Sequence, residues 1–222
     1  MIFVYWVLRF NSILNNQLNI FQIMGKAIYK DIKIEKISQT VNLPEIVKTK
    51  DIYLDMVEII ISQQLSGKVA KVIYNRFLEL FDKKYPSPKL LLKTDDTALR
   101  GVGLSQAKTN YVKNLAEFAL SNDLSMSHID SLTDDEIIEL LTKVKGVGKW
   151  SVEMLLIFSL NRPDVFPHDD LVIKKSMVEI YGIKKEGKDL IAQMIKTAEK
   201  WKPNRTIATR YLWAYWGLKS KK

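Results

Sequence analysis

Two stretches lying close together in the chain carry groups capable of chemistry. Residues 140–154 read LLTKVKGVGKWSVEM. Gly146 and Gly148 permit a tight reversal between two helices. The amide N–H groups that open the second helix then form an anion site suited to one phosphate. Lys145 and Lys149 add charge, and such a device grips a nucleic-acid backbone without reading its bases. The same residues also describe an ordinary tight turn between helices. Residues 161–175 read NRPDVFPHDDLVIKK and place two carboxylates, Asp169 and Asp170, ahead of an apolar run. A partly buried carboxylate can stabilise developing positive charge or orient water. Asp is equally favoured as a helix N-cap, and Asp169 is the residue expected to cap the helix running to about Ile180.

The elements that must position these groups are helical. From about Asp51 the 3.6-residue period dominates. Leu54, Val57, Glu58 and Ile61 begin one stripe; Val69, Val72, Ile73, Phe77 and Leu80 form a second; Ala107, Tyr111, Leu115 and Phe118 form a third. Thr133 with Glu136 is a capping box that opens a helix at Asp134. Further helices are expected over Trp150 to Leu160, Lys188 to Trp201, and from near Pro203 to Gly217. Only Ile28 to Ile37 hints at the alternation of a strand. The fold class is mostly α, with seven or more helices joined by short connections. Gly-Val-Gly occurs at 101–103 and again at 146–148 with different flanks, which marks two turns and not a repeat.

Composition narrows the partner. The chain has 222 residues, 34 Lys+Arg and 25 Asp+Glu, for a formal charge of +9. That balance favours a polyanion, either nucleic acid or an anionic membrane surface. There is no cysteine, which excludes a catalytic thiol, a disulfide framework and an iron–sulfur cluster, and fits a reducing intracellular setting. His128 and His168 are the only histidines and read as loop residues. No G-x-x-x-x-G-K-[ST] sequence is present. Met1 to Phe10 is apolar, but Arg9 cuts the run far short of the ~20 residues of a membrane span, and Met24 offers a second start. Residues 1–50 are therefore an extension with first helices, 51–217 the main domain, and 218–222 a basic tail.

Taken together, the two stretches resemble the helix-hairpin-helix DNA glycosylase superfamily, and most of all its 3-methyladenine DNA glycosylase II branch. The hairpin glycines, the DVFPHDD loop ending in Asp170, the IISQQLSGK block at 60–68, the GLSQAK block at 103–108 and the WKP at 201–203 followed by Trp213 occur in the family's order. The resemblance covers about residues 51–217. It departs at Lys145 (usually Pro), Ser151 (usually Thr) and Met154 (an aromatic in some relatives).

The resemblance implies two packed helical subdomains with the active site in the cleft between them. It also implies hydrolysis of the C1′–N bond of a flipped-out alkylated purine in double-stranded DNA. Asp170 would stabilise the cationic sugar, with Asp169 as a support. Trp150 and Trp213 would hold the charged base by cation–π attraction, joined by Gln64 or Gln63. Tyr211 is a weaker candidate, and Trp201 and Trp216 are core. Leu104 would fill the gap in the stack. Lys143, Lys145, Lys149 and Lys174 would meet phosphates beside Gly146, Val147 and Gly148. Backbone carbonyls of Thr142, Val144 and Gly146 would hold a monovalent Na or K ion that is structural, and catalysis needs no cofactor. Bifunctional relatives carry a nucleophilic lysine two residues after the second hairpin glycine. Trp150 stands there, with Lys149 turned by ~100°, so the expected enzyme is a monofunctional monomer. Competing readings are oxidised or deaminated bases as substrates, a non-catalytic DNA-binding module, and a peripheral membrane protein anchored by residues 1–23.

Overall fold

The computed structural model describes residues 31–220, which form twelve α-helices, two short 3-10 segments and no strand. In chain order the helices are α1 (Ile32–Ser38), α2 (Ile52–Ser62), α3 (Gly67–Leu78), α4 (Pro88–Lys93), α5 (Asp96–Gly101), α6 (Gln106–Ser121), α7 (Met126–Ser131), α8 (Asp134–Leu141), α9 (Lys149–Phe158), α10 (Leu171–Tyr181), α11 (Gly187–Ala198) and α12 (Arg205–Lys219). The mostly α expectation holds. The 1–23 extension, the second start at Met24 and the tail lysines 221–222 lie outside the described residues. None of the described helices is long and apolar enough to cross a membrane.

The chain divides into two compact units. The first is Val47–Leu160, built around α2 and α9. Nearly every residue of α2 is buried, as is α9 from Ser151 to Phe158. A helix apolar on all sides is stable only in a core, and α2 packs against α3, α6 and α9. Asp51 caps α2 by accepting the Leu54 N–H at 2.9 Å. The Thr133–Glu136 capping box forms as expected and fixes the start of α8, which packs on α9.

Two expected stripes are offset in part, with Phe77 and Leu115 buried as expected. On α3 the buried side chains include Ala70, Tyr74 and Phe77, while Val69 and Val72 are exposed. On α6 the buried residues are Thr109, Val112, Leu115 and Ala116. A helix with apolar residues on two faces buries the one with more area to remove from water, and on α3 that face carries the two aromatic rings.

The second unit comes from two separate parts of the chain, residues 31–46 and 161–220. The alternation hinted at across Ile28 to Ile37 is a helix from Ile32 onward, with residues 28–30 outside the description. Asp31 caps it and Ile34 and Ile37, three apart, are its buried face. Helices α1 and α10 both pack on α12. Trp201 is fully buried, as expected, with Phe166 edge-on at 5.7 Å.

Asp31 ties this unit together. Its carboxylate is buried and accepts the Lys33 N–H at 3.0 Å, the Tyr181 hydroxyl at 2.7 Å, the Trp201 indole N–H at 2.9 Å and the Lys200 ammonium at 2.8 Å. Burial alone would raise the Asp31 carboxyl. The donors from Lys200, Tyr181, Trp201 and the Lys33 backbone outweigh it and hold the group below the usual carboxylate range. Its stabilisation is complete above the unfolded-state value near ~4 and is lost as pH falls through the lower folded value. Asp31→Asn should lower the unfolding free energy by about 1.5–3 kcal/mol at pH 7. Urea denaturation at pH 7 and pH 2 should show the difference from wild type closing in acid; a difference unchanged at pH 2 would contradict this role.

Candidate active site

In the first unit the hairpin is assembled as its sequence indicates. Thr142 ends α8 and Gly148 is the N-cap of α9. Between them the Val147 N–H donates to the Val144 carbonyl at 2.9 Å. Val144 and Val147 are buried, whereas Lys143, Lys145 and Lys149 are exposed. Apolar side chains therefore anchor the turn while its cations face water. Gly148 offers no side-chain cap, so no side-chain oxygen from this position occupies the first-turn N–H groups, and a helix N-terminus in that state suits an anion.

Gly146 is obligatory. Its φ is +103°, and a Cβ there would meet the Tyr111 ring at 2.1 Å. Two side-chain amides then brace the turn from behind. Asn114 Nδ2 donates to the Lys145 carbonyl at 3.0 Å. Gln63 Nε2 donates to the Gly146 carbonyl at 3.1 Å and to Ser151 Oγ at 3.0 Å. Gln63 thus braces the hairpin, while Gln64 is exposed on left-handed backbone, φ 57°. That conformation costs a non-glycine residue roughly 1–2 kcal/mol. Trp150 is half-buried at the start of α9, and Lys149 lies 3.9 Å from Glu153 one turn on. Leu104 is 4% exposed and packs inside the first unit. The expectation of a projecting plug is corrected on this point, because a turn leucine with core within reach buries its area.

In the second unit Asp170 is the N-cap of α10. Its Oδ1 accepts the Val172 N–H at 2.8 Å, the Ile173 N–H at 2.9 Å and the Trp213 indole N–H at 3.0 Å. The expected capping role of Asp169 is corrected: the N–H groups needing an acceptor lie two and three residues after Asp170. Asp169 is exposed instead, paired with Lys174 at 3.2 Å and 3.5 Å from His168. Lys174 is therefore engaged locally. Trp213 is 2% exposed, so it meets the carboxylate with its edge and presents no open ring face. Tyr211 is also buried. Trp216, expected in the core, is only half-buried, with the ammonium groups of Lys175 and Lys219 at 5.8 and 5.5 Å from its ring.

The start of α12 holds the loop that carries Asp170, through residues that motif reading missed. Arg205 grips Asp164 with Nε and Nη2 at 2.8 and 2.9 Å. Thr206 Oγ1 donates to the Arg162 carbonyl at 2.6 Å and accepts the Val165 N–H at 3.0 Å. Thr209 donates to the Val165 carbonyl at 3.3 Å. The partners are separated by about forty positions, beyond any local pattern. Asp170 and Trp213 are brought together in this unit; Trp150, Gln63, Gln64, Leu104 and the hairpin belong to the other.

Gly146→Ala should lower stability by at least about 2 kcal/mol, combining left-handed backbone with overlap on Tyr111, and should cost affinity for duplex DNA. Gly148 has φ −96° and open space around an added Cβ, so Gly148→Ala should leave the melting temperature within a few degrees of wild type. Thermal melts and anisotropy titrations check both; equal losses in the two variants would contradict the assignment.

Comparison with known proteins agrees with this architecture. A family model described as HhH-GPD superfamily base excision DNA repair protein matches residues 57–203. DNA-3-methyladenine glycosylase 1 of Schizosaccharomyces pombe is 37% identical over 166 residues, 74% of this chain and 72% of that protein. The solved 3-methyladenine DNA glycosylase of the same yeast, in complex with abasic DNA, superposes with a TM-score of 0.76 at 33% identity, over 85% of this chain and 95% of that one. A DNA-3-methyladenine glycosidase from Bacillus halodurans gives 0.75 at 28% identity, over 88% and 89%. With its hairpin, its capped aspartate and two thirds of its length matched by that family model, the chain belongs to the HhH-GPD superfamily of base excision DNA repair proteins.

Proposed function

We propose that this protein is a monofunctional DNA glycosylase that hydrolyses the N-glycosidic bond of alkylated purines flipped out of duplex DNA. The observation that carries the chemistry is the Asp170 carboxylate, fixed through one oxygen by two backbone N–H groups and the Trp213 indole. As the C1′–N bond lengthens, positive charge builds on the sugar. A carboxylate already held in place stabilises that charge without reorganising. An N-alkylated purine is itself cationic and leaves readily, so the site needs little acid catalysis. Trp150, half-buried at the hairpin, offers an aromatic face to such a base. Trp213 acts on the reaction by holding Asp170. Gln64 presents its amide to the DNA.

The hairpin grips one phosphate through backbone N–H groups, with Lys143, Lys145 and Lys149 adding charge. Carbonyls of Thr142, Val144 and Gly146 would hold a monovalent cation. Val144 and Gly146 each accept one hydrogen bond, and a carbonyl oxygen has a second lone pair, so the donor set fits. Such an ion would neutralise charge at the bound phosphate.

No lysine stands where a Schiff-base nucleophile would be needed, since Trp150 occupies that position. Base release from methylated duplex DNA tests the reading. The protein should free 3-methyladenine and 7-methylguanine, leave the strand intact until alkali is added, and give no covalent DNA adduct with borohydride. Strand breaks without alkali, or a trapped adduct, would overturn the monofunctional assignment; salt-sensitive binding without release of either base would overturn the substrate class.

A further inference from the structure

The exposed residue Gln64 sits in a turn whose geometry favours glycine. The Leu65 N–H donates to the Ser62 carbonyl at 3.2 Å. The central residues are Gln63 at φ −49°, ψ 133° and Gln64 at φ 57°. These are the angles of a type II β-turn, which puts its third residue in the left-handed region where Gly or Asn is the usual choice. A type I turn closes the same hydrogen bond with ordinary backbone at both positions. The two types differ by a flip of the central peptide plane. Something must hold that plane, because strained backbone persists only where its surroundings determine it.

The holder is a side chain from α6. Lys108 Nζ donates to the Gln63 carbonyl at 2.7 Å and to the Ile61 carbonyl at 2.7 Å. The Gln63 oxygen belongs to the same rigid peptide unit as the Gln64 nitrogen, so fixing it fixes φ of Gln64. The Ile61 carbonyl is one of the last in α2, where carbonyls lack helical partners and favour a cation. Burial works against the charge and lowers the ammonium to about 8. The Gln63 side chain runs the other way, to the hairpin at Gly146 and Ser151. One peptide is thus held by Lys108 through its carbonyl and joined to the hairpin through the Gln63 amide.

We propose that Lys108 is a positioning residue for DNA engagement: it locks the Ser62–Leu65 turn in its type II form and so presents Gln64 to the duplex. The proposal rests on the glycosylase reading only in taking DNA as the partner. Without Lys108 the central peptide flips, Gln64 relaxes to negative φ, and its side chain leaves the presented position.

A double-mutant cycle with a spectroscopic reporter tests it, using affinity for a duplex carrying a tetrahydrofuran abasic-site analogue. Lys108→Met should weaken binding about tenfold in the wild-type background and less than about twofold in the Gln64→Ala background, since residues acting as a unit are not additive. The Gln64 Cα and Cβ chemical shifts should move from left-handed to ordinary values in Lys108→Met. Lys108→Arg, which still donates to both carbonyls, should restore both readings. Should Lys108→Met fail to fold, Lys108→Gln takes its place in the cycle with the same expectation. Equal losses in both backgrounds, or Gln64 shifts that do not move, would overturn the proposal. Neither reading requires base release, so an inactive wild type would count against the glycosylase reading alone.

Discussion

Three N–H donors converge on one oxygen of Asp170, and the second unit is arranged around that convergence. Two of them are first-turn amides of α10, so the carboxylate proposed for the chemistry is also the cap that begins the helix. The third is the Trp213 indole, delivered by α12. The same helix secures the preceding loop through Arg205, Thr206 and Thr209. A carboxylate on a loose loop would have to be oriented anew at each turnover; here the fold has met that cost in advance, which is the condition for electrostatic stabilisation of a developing cation. Capping and the catalytic role proposed for Asp170 are therefore compatible. One oxygen's hydrogen bonds serve the helix and, in doing so, fix the carboxylate.

The first unit solves a different problem, the presentation of backbone. The phosphate site proposed at the hairpin, made from peptide N–H groups, is only as precise as the peptide planes that carry it. Those planes are held from behind by side chains, Asn114 on the Lys145 carbonyl and Gln63 on that of Gly146, and Gln63 is itself held by Lys108 through its own carbonyl. Gly146 makes the arrangement possible, because left-handed backbone and the Tyr111 ring leave no room for a Cβ. The hairpin lysines supply charge, whereas its shape comes from buried valines, a glycine and two side-chain amides, Asn114 of α6 and Gln63 at the end of α2.

Local signals were legible in the sequence. The capping box at Thr133, the hairpin between α8 and α9, the all-helical class and the Asp170 loop follow from spacing and motif, since each depends on residues a few positions apart. What escaped were contacts across long separations and choices between near-equal faces. On α3 the period selects Phe77 correctly together with Val69 and Val72, because period alone does not weigh Tyr74 against the two valines. Residues 31–38 lacked enough turns for a period to show, and only the partners of Asp31, at 181, 200 and 201, explain that helix. Leu104 and Trp213 were read by matching position, which says nothing of burial. Gln63 and Gln64 looked alike in sequence; a turn separates them into a brace and an exposed amide.

The central claim is that Asp170 contributes a negative charge to the reaction beyond its work as a helix cap. Asn caps helices as well as Asp does, so Asp170→Asn separates the two roles when thermal stability and single-turnover release of 7-methylguanine are measured on the same preparation. The account predicts a melting temperature close to that of wild type and a rate lowered by at least about a hundredfold, on the scale of losing one preorganised electrostatic group. A variant that melts normally and releases base at the wild-type rate would contradict it.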